Sequence, residues 1–218
     1  MDITQTIALT MGVAWASGIN LYAAILMLGW MGSTGNIDLP PDLQILSDPM
    51  VMAAAGFMYC VEFFADKVPG VDTGWDAIHT FIRIPAGAVL AAAAVGDVGA
   101  GAQLAAGIVG GALATGSHIT KAGSRVLINA SPEPVTNWFA SVGEDVMVIL
   151  GLWTALYNPV LFLVLLAVFI LLMIWLLPKL WRGMKKVFGY LGKVFGNGQT
   201  SDKAEESLTQ LSDMKPKE

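Results

Sequence analysis

The chain has 218 residues, of which 55% are hydrophobic and only 13% are charged. A soluble domain usually carries about a quarter charged residues, so this composition excludes an ordinary soluble globular enzyme. The formal net charge is −5, and basic residues form no continuous face outside one short C-terminal segment, which argues against nucleic acid as a partner. The single cysteine, Cys60, cannot form an intramolecular disulfide and implies no oxidising compartment.

Apolar runs of membrane-spanning length recur along the chain. A hydrocarbon core about 30 Å thick requires about 20 apolar residues in helical form. Six such runs cover residues 7–31, 49–65, 81–96, 98–119, 135–157 and 159–177. The run over 81–96 is the shortest, and the sequence leaves open whether it spans the membrane or is re-entrant. The pattern predicts an all-α fold, a polytopic membrane helix bundle over residues 1–178.

Three spans in each half would give the inverted-repeat plan of many transporters, with repeats over residues 1–97 and 98–178. Ala16-Ser17-Gly18 in the first run is matched by Ala114-Thr115-Gly116 in the fourth. Short matches arise by chance in a chain rich in alanine, glycine and serine, so the repeat rests mainly on the number of spans.

The positions of the basic residues predict the orientation of the bundle. Lysine and arginine accumulate in cytoplasmic loops. With six spans and a cytoplasmic N-terminus, all twelve lysines and arginines lie in or beside the connections on one side. The opposite connections contain only acidic charges. We therefore predict a multi-pass protein with both termini in the cytoplasm.

The segment 179–195 combines an apolar stripe with a basic face. Such a pattern predicts an amphipathic helix that lies on the membrane surface and binds anionic lipids. The alternative is a stop segment that only obeys the positive-inside rule. Residues 196–218 are polar and charged without periodicity, which predicts a disordered cytoplasmic tail.

Two adjacent acidic residues lie in the middle of the fifth apolar run. A charged side chain at the bilayer centre costs about 2.5 to 3.5 kcal/mol, so Glu144 and Asp145 require a reason. Asn137 and Ser141 share a helical face with Glu144. We expect the two acids to form a midplane site, with one of them protonated in some states because burial disfavours the charged form.

Other polar residues extend this site into a predicted path. The first run supplies Ser17 and Asn20, and the fourth supplies His118; helix packing is the alternative for all three. A second group lies near helix ends and is predicted to gate the cytoplasmic side through exchangeable ion pairs. Its members are Glu62, Asp66, Asp72, Asp76, Arg83, Lys121 and Arg125. Static interfacial ion pairs that fix helix register are the alternative for this group.

Catalytic and metal-binding signatures are absent from the sequence, which contains no G-x-S-x-G, no H-E-x-x-H and no Cys/His metal spacing. We therefore predict no enzyme activity and no cofactor, and the sequence leaves a metal undefined. Gly107 and Gly111 belong to a small-residue face typical of tight helix packing. The oligomeric state stays open, with a homodimer among the options.

Three stretches carry a resemblance to a known family: ASGINLYAAILMLG, VEFFADKVPGVDTGWDAIHTFIRIPAGAVLA and SHITKAGSRVLINASPEPVTNWFASVGEDV. They resemble a bacterial membrane-protein family known only as domain of unknown function 4126. The resemblance covers roughly residues 5–160. It implies an integral membrane protein and no particular activity. We predict that this protein lies in the bacterial inner membrane.

The leading functional prediction is a transporter or channel for a small ion or solute, proton-coupled through the mid-membrane carboxylates. One alternative is a non-transporting scaffold or assembly protein. Another is a lipid-active protein that acts on a polyprenyl carrier or phospholipid, with Lys121 and Arg125 holding a phosphate. The sequence does not identify the substrate.

Overall fold

The fold was analysed in a computed structural model that describes residues 1–68, 70–130 and 134–213, with side chains described through residue 187 except at position 134. Most of the described residues are helical, and none of them forms a strand. Six α-helices follow in order: α1 Ile3–Ser33, α2 Pro49–Ala65, α3 Val71–Ala94, α4 Ala100–Asn129, α5 Pro134–Tyr157 and α6 Pro159–Asp213. A short 3-10 helix, Pro41–Ser47, precedes α2.

Among the described residues, four helical segments are long and apolar enough to cross a membrane. They are α1, α3, α5 and the part of α6 over Pro159–Val187. The 3-10 helix and α2 meet at an angle of 67° and count as a fifth span if they are taken together. The prediction of a helical membrane protein is therefore confirmed. Helix α4 is not among these spans, because its glycine and polar residues lower its hydropathy. The helices of the described residues therefore do not confirm six spans, nor the two repeats that depend on that number.

The third helix is longer than its apolar run. It begins at Val71 rather than at residue 81, and its 24 residues meet the length of a span. Its first half carries the buried charged residues Asp72, Asp76 and Arg83, which interrupt the apolar pattern. For the same reason α4 continues beyond residue 119 through Lys121 and Arg125. The hydropathy pattern therefore failed to assign to α3 and α4 the helical turns that carry buried charged residues.

Helix α1 lies at the centre of the bundle and contacts each of the other α-helices. Eighteen of its 31 residues are buried, as expected of a helix that is apolar on every face. Close approach depends on small residues at the crossing points. A Cβ placed on Gly87 would contact Ala114 and Ser17, and one on Gly110 would contact Ala91. These positions bring α1, α3 and α4 together without space for a larger side chain.

The central helix is interrupted at Asn20. The backbone there is extended, with φ −146° and ψ 97°, whereas the flanking residues are helical. The Asn20 side-chain oxygen accepts a hydrogen bond from the Ala23 amide at 3.0 Å, so it caps the segment that follows. Helix α1 thus consists of two helical segments that meet inside the bundle.

Helix α5 packs differently in its two halves. Val148, Leu152 and Ala155 form an apolar stripe that is at most 1% exposed. The same stripe is polar in the first half of the helix, where Asn137 and Ser141 are buried. The buried face of α5 is therefore polar before Glu144 and Asp145 and apolar after them. Its polar half belongs to the site described below.

The C-terminal segment continues α6. The helical backbone passes Pro178 and extends through Asp213, where the sequence predicts a separate surface helix over 179–195 and then disorder. Leu180 is buried beside Gly123 of α4, which ties the start of this segment to the bundle. Residues 214–218 of the predicted tail lie outside the described residues, and the lipid contacts predicted for 179–195 stay a prediction.

Candidate functional site: a buried charge cluster beside the helix break

Seven charged side chains from four parts of the described chain meet in the interior, and we call them the charge cluster. They are Glu62, Asp66, Asp76, Arg83, Lys121, Arg125 and Glu144. Sequence spacing aligns them, because Glu62 with Asp66, and Lys121 with Arg125, are four residues apart on a helical face. All but Glu144 are at most 4% exposed. The cluster lies toward the α2–α3 and α4–α5 connections.

Arg83 binds two carboxylates from different helices. Its Nη2 donates to Glu62 Oε1 at 2.6 Å, and its Nη1 donates to Asp76 Oδ1 at 3.0 Å. Arg83 is fully buried, so neither pair is weakened by water. This arginine connects the end of α2 to α3.

Lys121 lies at the centre of the cluster. Five oxygens of the described residues surround its Nζ atom, at 2.8 Å from Asp66 Oδ2, 3.1 Å from the Ile19 carbonyl, 3.4 Å from Glu62 Oε1, 3.6 Å from Glu144 Oε2 and 3.8 Å from Asp76 Oδ1. The Ile19 carbonyl is available because the helix breaks at the next residue. The ammonium group therefore joins the charge cluster to the interruption in α1.

Arg125 holds Glu144 through two parallel hydrogen bonds. Nε donates to Oε1 at 3.2 Å and Nη2 donates to Oε2 at 2.6 Å. The remaining nitrogen, Nη1, donates to Asn137 Oδ1 at 2.6 Å and to the Asp66 carbonyl at 3.0 Å. Because the guanidinium fork is planar, these bonds fix its orientation.

Asp145 points away from its neighbour and makes a separate contact. Asn20 Nδ2 donates to Asp145 Oδ1 at 2.8 Å, and the Tyr59 hydroxyl donates to Oδ2 at 3.3 Å. The two mid-span acids therefore serve different partners: Glu144 joins the charge cluster, whereas Asp145 meets the break in α1. Glu144 lies next to Lys121 and Asp145 lies next to Asn20, so the two acids do not form one shared site.

His118 links the cluster to α3. Arg83 Nη1 lies 3.4 Å from His118 Nδ1, and Thr80 Oγ1 lies 2.7 Å from Nε2. The Thr80 hydroxyl also donates to the Asp76 carbonyl at 2.9 Å. Each nitrogen of the imidazole therefore contacts a side chain of α3.

Two predicted residues lie outside this arrangement. Asp72 accepts from both the Gly70 and Thr73 amides and from Asn129 Nδ2, so it fixes the start of α3 and pairs with no cation among the described residues. Ser17 donates to the Val13 carbonyl within its own helix at 2.6 Å. These contacts match packing roles.

Several polar residues near the site were not predicted from the sequence. Tyr59 is one helical turn before Glu62, a spacing that indicates the same face. Lys67 donates to Ser141 Oγ at 3.4 Å and lies over the Phe63 ring. Partial burial lowers the pKa of Lys67, and the charge of Asp145 opposes that effect. Lys67 thus forms a second polar link between α2 and α5.

A cavity of about 110 Å³ lies beside the cluster. Its lining includes Lys121 and Glu144 and three residues that carry hydroxyl groups, Ser117, Thr120 and Ser124. Ile19, Met147 and Phe169 complete the lining with apolar side chains. Three larger cavities elsewhere in the described part of the chain have almost entirely apolar walls and are lined by no charged side chain. In the described part of the chain, no group of three or more His, Cys, Asp and Glu side chains is arranged to hold a metal ion.

The fold and the site define a helical membrane protein with an interrupted central helix and a buried charge cluster. Residues 7–179 match the family described as "Domain of unknown function (DUF4126)", and the chain belongs to that family. The predicted resemblance is therefore confirmed, and the matched range includes every member of the charge cluster. No curated protein and no solved structure matches the chain.

The Asn20 side chain is expected to stabilise the break itself. Asn20→Ala removes the cap on Ala23 and the hydrogen bond to Asp145, so we expect a loss of about 1 to 2 kcal/mol in the free energy of unfolding. Thermal denaturation in detergent measures it. Asn36→Ala is the control, because Asn36 is exposed and bonds only to Thr34 by its side chain among the described residues. Equal denaturation midpoints for the two variants would contradict a capping role.

Proposed function

We propose that the protein is a transporter that moves a small ion across the bacterial inner membrane, with the charge cluster as its exchange site. The observation that carries the proposal is the break in α1 at Asn20, beside the cluster. Interrupted helices inside transporters free backbone carbonyls to coordinate cations. The Ile19 carbonyl, bonded to the Lys121 ammonium, is such a group.

The charge balance of the cluster supports an exchangeable cation. The ion pairs of the described residues join four carboxylates, those of Glu62, Asp66, Asp76 and Glu144, to only three basic side chains. An uncompensated buried charge is costly, so a proton or a small cation that accompanies the excess carboxylate would stabilise the cluster. A transported cation is therefore compatible with the charge that the helices already carry.

A purely structural role explains the cluster less well. Replacing buried ion pairs by well-packed apolar side chains is often neutral or stabilising, so such pairs are a costly way to hold helices together. Glu144 is also 14% exposed at the cavity, unlike the fully buried Arg83 and Glu62. We infer that Glu144 exchanges between Arg125 and Lys121 as a proton or cation enters from the cavity.

The topology belongs to the same proposal. The cluster lies toward connections that the positive-inside pattern places in the cytoplasm, and both termini would then be cytoplasmic. Six spans in two inverted repeats, and a homodimer, remain part of this proposal. The lipid-active alternative lacks support, because Lys121 and Arg125 are both bonded to carboxylates rather than available to a phosphate.

Removing the charges of the two mid-span acids is expected to abolish flux. We expect vesicles that contain purified protein to pass protons or Na⁺ when a membrane potential is imposed. The double variant Glu144→Gln, Asp145→Asn should reduce this flux to the background of empty vesicles, because the cluster loses the carboxylate that exchanges, Glu144, and the break in α1 loses its acidic partner, Asp145. A trapped pH-sensitive dye and a Na⁺-sensitive dye measure the two fluxes.

The control for this experiment is Asp38→Asn, since Asp38 is an exposed acid in the connection after α1. It should retain the flux of the unmodified protein. Unchanged flux in a folded double variant would remove the assigned site. Unmodified protein that passes neither ion would overturn the proposed function.

A further inference from the structure

We propose that the oxygen shell around Lys121 is a site for a monovalent cation, which the Lys121 ammonium fills in the conformation described here. When the ammonium leaves, Na⁺ takes its place, and the surrounding carboxylates, which are not arranged to hold a metal ion in the described conformation, close in on the smaller ion. This inference rests on the proposed function and specifies its substrate class. It goes beyond the ion pairs themselves, because it assigns the lysine as a tethered competitor of the transported ion.

The shell offers more acceptors than an ammonium group can use. Five oxygens surround Nζ, between 2.8 Å and 3.8 Å away, among the described residues. Lysine has three N–H donors, so it can bond to three of them at most. A spherical cation has no such limit and can be coordinated by carboxylates and by a freed backbone carbonyl at once. The Ile19 carbonyl supplies the neutral ligand of the set.

Further carboxylate oxygens of the same residues are unpaired. Glu62 Oε2, Asp66 Oδ1 and Asp76 Oδ2 have no hydrogen-bond partner among the described residues. The three side chains are between 0% and 3% exposed. A buried acceptor without a partner is costly, and such atoms commonly indicate an ion or a proton. They are an observation independent of the Lys121 contacts.

The Lys121 side chain also has a place to move. Lys121 lines a small cavity together with Ser117, Thr120 and Ser124. The hydroxyl groups of these three residues donate to backbone carbonyls, so their oxygens can still accept a hydrogen bond from the ammonium. A lysine has a flexible four-carbon stem, whereas Arg83 and Arg125 are held by planar forks on two sides. Among the three basic residues, Lys121 is therefore the one suited to leave and return.

The charge balance favours exchange over an empty shell. With Lys121 in place the cluster has one carboxylate in excess, and withdrawal of the ammonium would leave two. A second uncompensated charge in the interior is costly, so departure of Lys121 should be coupled to entry of a cation. One cation and one ammonium would then alternate in the same shell.

The test removes the tethered ammonium and supplies free cations. Lys121→Ala is purified in NaCl and its thermal denaturation midpoint is measured as NaCl replaces N-methylglucamine chloride at constant ionic strength. We expect the midpoint to rise by about 5 °C along a saturable curve, because a ligand that binds only the folded state stabilises it. Methylammonium chloride should act similarly, since it restores the lost group.

Two controls should show no saturable response to Na⁺. One is Lys121→Arg, which retains a cation in the shell. The other is Lys179→Ala, whose lysine lies over the Trp175 ring, away from the cluster. A flat midpoint for Lys121→Ala would overturn the inference. So would a Lys121→Ala chain that fails to fold even in NaCl, since Na⁺ should then fill the shell.

The Na⁺ dependence of the Lys121→Ala denaturation midpoint and the flux through the unmodified protein test different proposals. Saturable Na⁺ binding by Lys121→Ala, combined with no flux through the unmodified protein, would retain the cation site and reject transport. Flux without Na⁺ binding would retain transport and reject this site. Each outcome therefore addresses one proposal.

Discussion

Arg83→Met is expected to destabilise the protein by about 3 to 5 kcal/mol, because it removes the nearest cation from two buried carboxylates and leaves them only the more distant Lys121. Glu62 and Asp76 are at most 1% exposed, so water cannot replace the guanidinium. The methionine side chain retains most of the volume, which separates the loss of charge from the loss of packing. Thermal denaturation followed by tryptophan fluorescence in detergent measures the change.

Two further variants decide the origin of this effect. Arg182→Met removes an exposed arginine that bonds within its own helix, and we expect its midpoint to match that of the unmodified protein. The triple variant Arg83→Met, Glu62→Gln, Asp76→Asn should recover much of the loss, because no charge is then unpaired at Arg83. A single Arg83→Met variant as stable as Arg182→Met would show that the cluster is hydrated.

Gly18→Ala is expected to lower the free energy of unfolding by about 3 kcal/mol, the upper end of the range for overpacked sites. A Cβ at this position would overlap Ser117 Oγ and the Ala114 carbonyl of α4. The carbonyl belongs to a helical backbone and cannot rotate away, so α1 and α4 must separate. The separation would also draw the Ile19 carbonyl away from Lys121, so a loss of flux should accompany the lower denaturation midpoint.

Gly56→Ala is the matched control for this substitution. Gly56 lies inside α2, where a Cβ would meet only Leu26 Cδ1 at an ordinary 3.8 Å. Alanine forms helix better than glycine, so this variant should be as stable as the unmodified protein or more stable. If Gly18→Ala behaves like Gly56→Ala, the close packing of α1 and α4 is wrong.

Sequence patterns predicted the bounds of α2 and α5 closely. Helix α2 has the predicted bounds, because Asp48 accepts from the Met50 and Val51 amides as its N-cap and Pro49 follows at the first position. Helix α5 differs from the predicted run by one residue at its start. The local signals of these helices agree with their tertiary surroundings.

The charged helical turns were the part that hydropathy could not predict. Asp76 and Arg83 interrupt the apolar pattern of α3, and Lys121 and Arg125 interrupt that of α4. Their burial depends on partners from other helices, which are distant in the sequence. A hydropathy pattern describes one segment at a time, so it shortens helices whose charges are neutralised by their neighbours.

The sequence identified the residues of the site better than it identified which of them contact one another. Glu144 and Asp145 were expected to share one site, but consecutive residues on an α-helix point about 100° apart because it has 3.6 residues per turn. The acids therefore reach different partners, Arg125 and Asn20. The break at Asn20 was not predicted, since no proline marks it and its side-chain cap becomes evident only in three dimensions.

The interruption of α1 also creates two opposite electrostatic poles inside the bundle. Helix ends carry about half an elementary charge, negative at the C-terminal end and positive at the N-terminal end. Lys121 meets the negative end at the Ile19 carbonyl, and Asp145 meets the positive end through Asn20. The central helix thus attracts a cation through a backbone carbonyl and an anion through the amide side chain of Asn20, although its own sequence contains no charged residue.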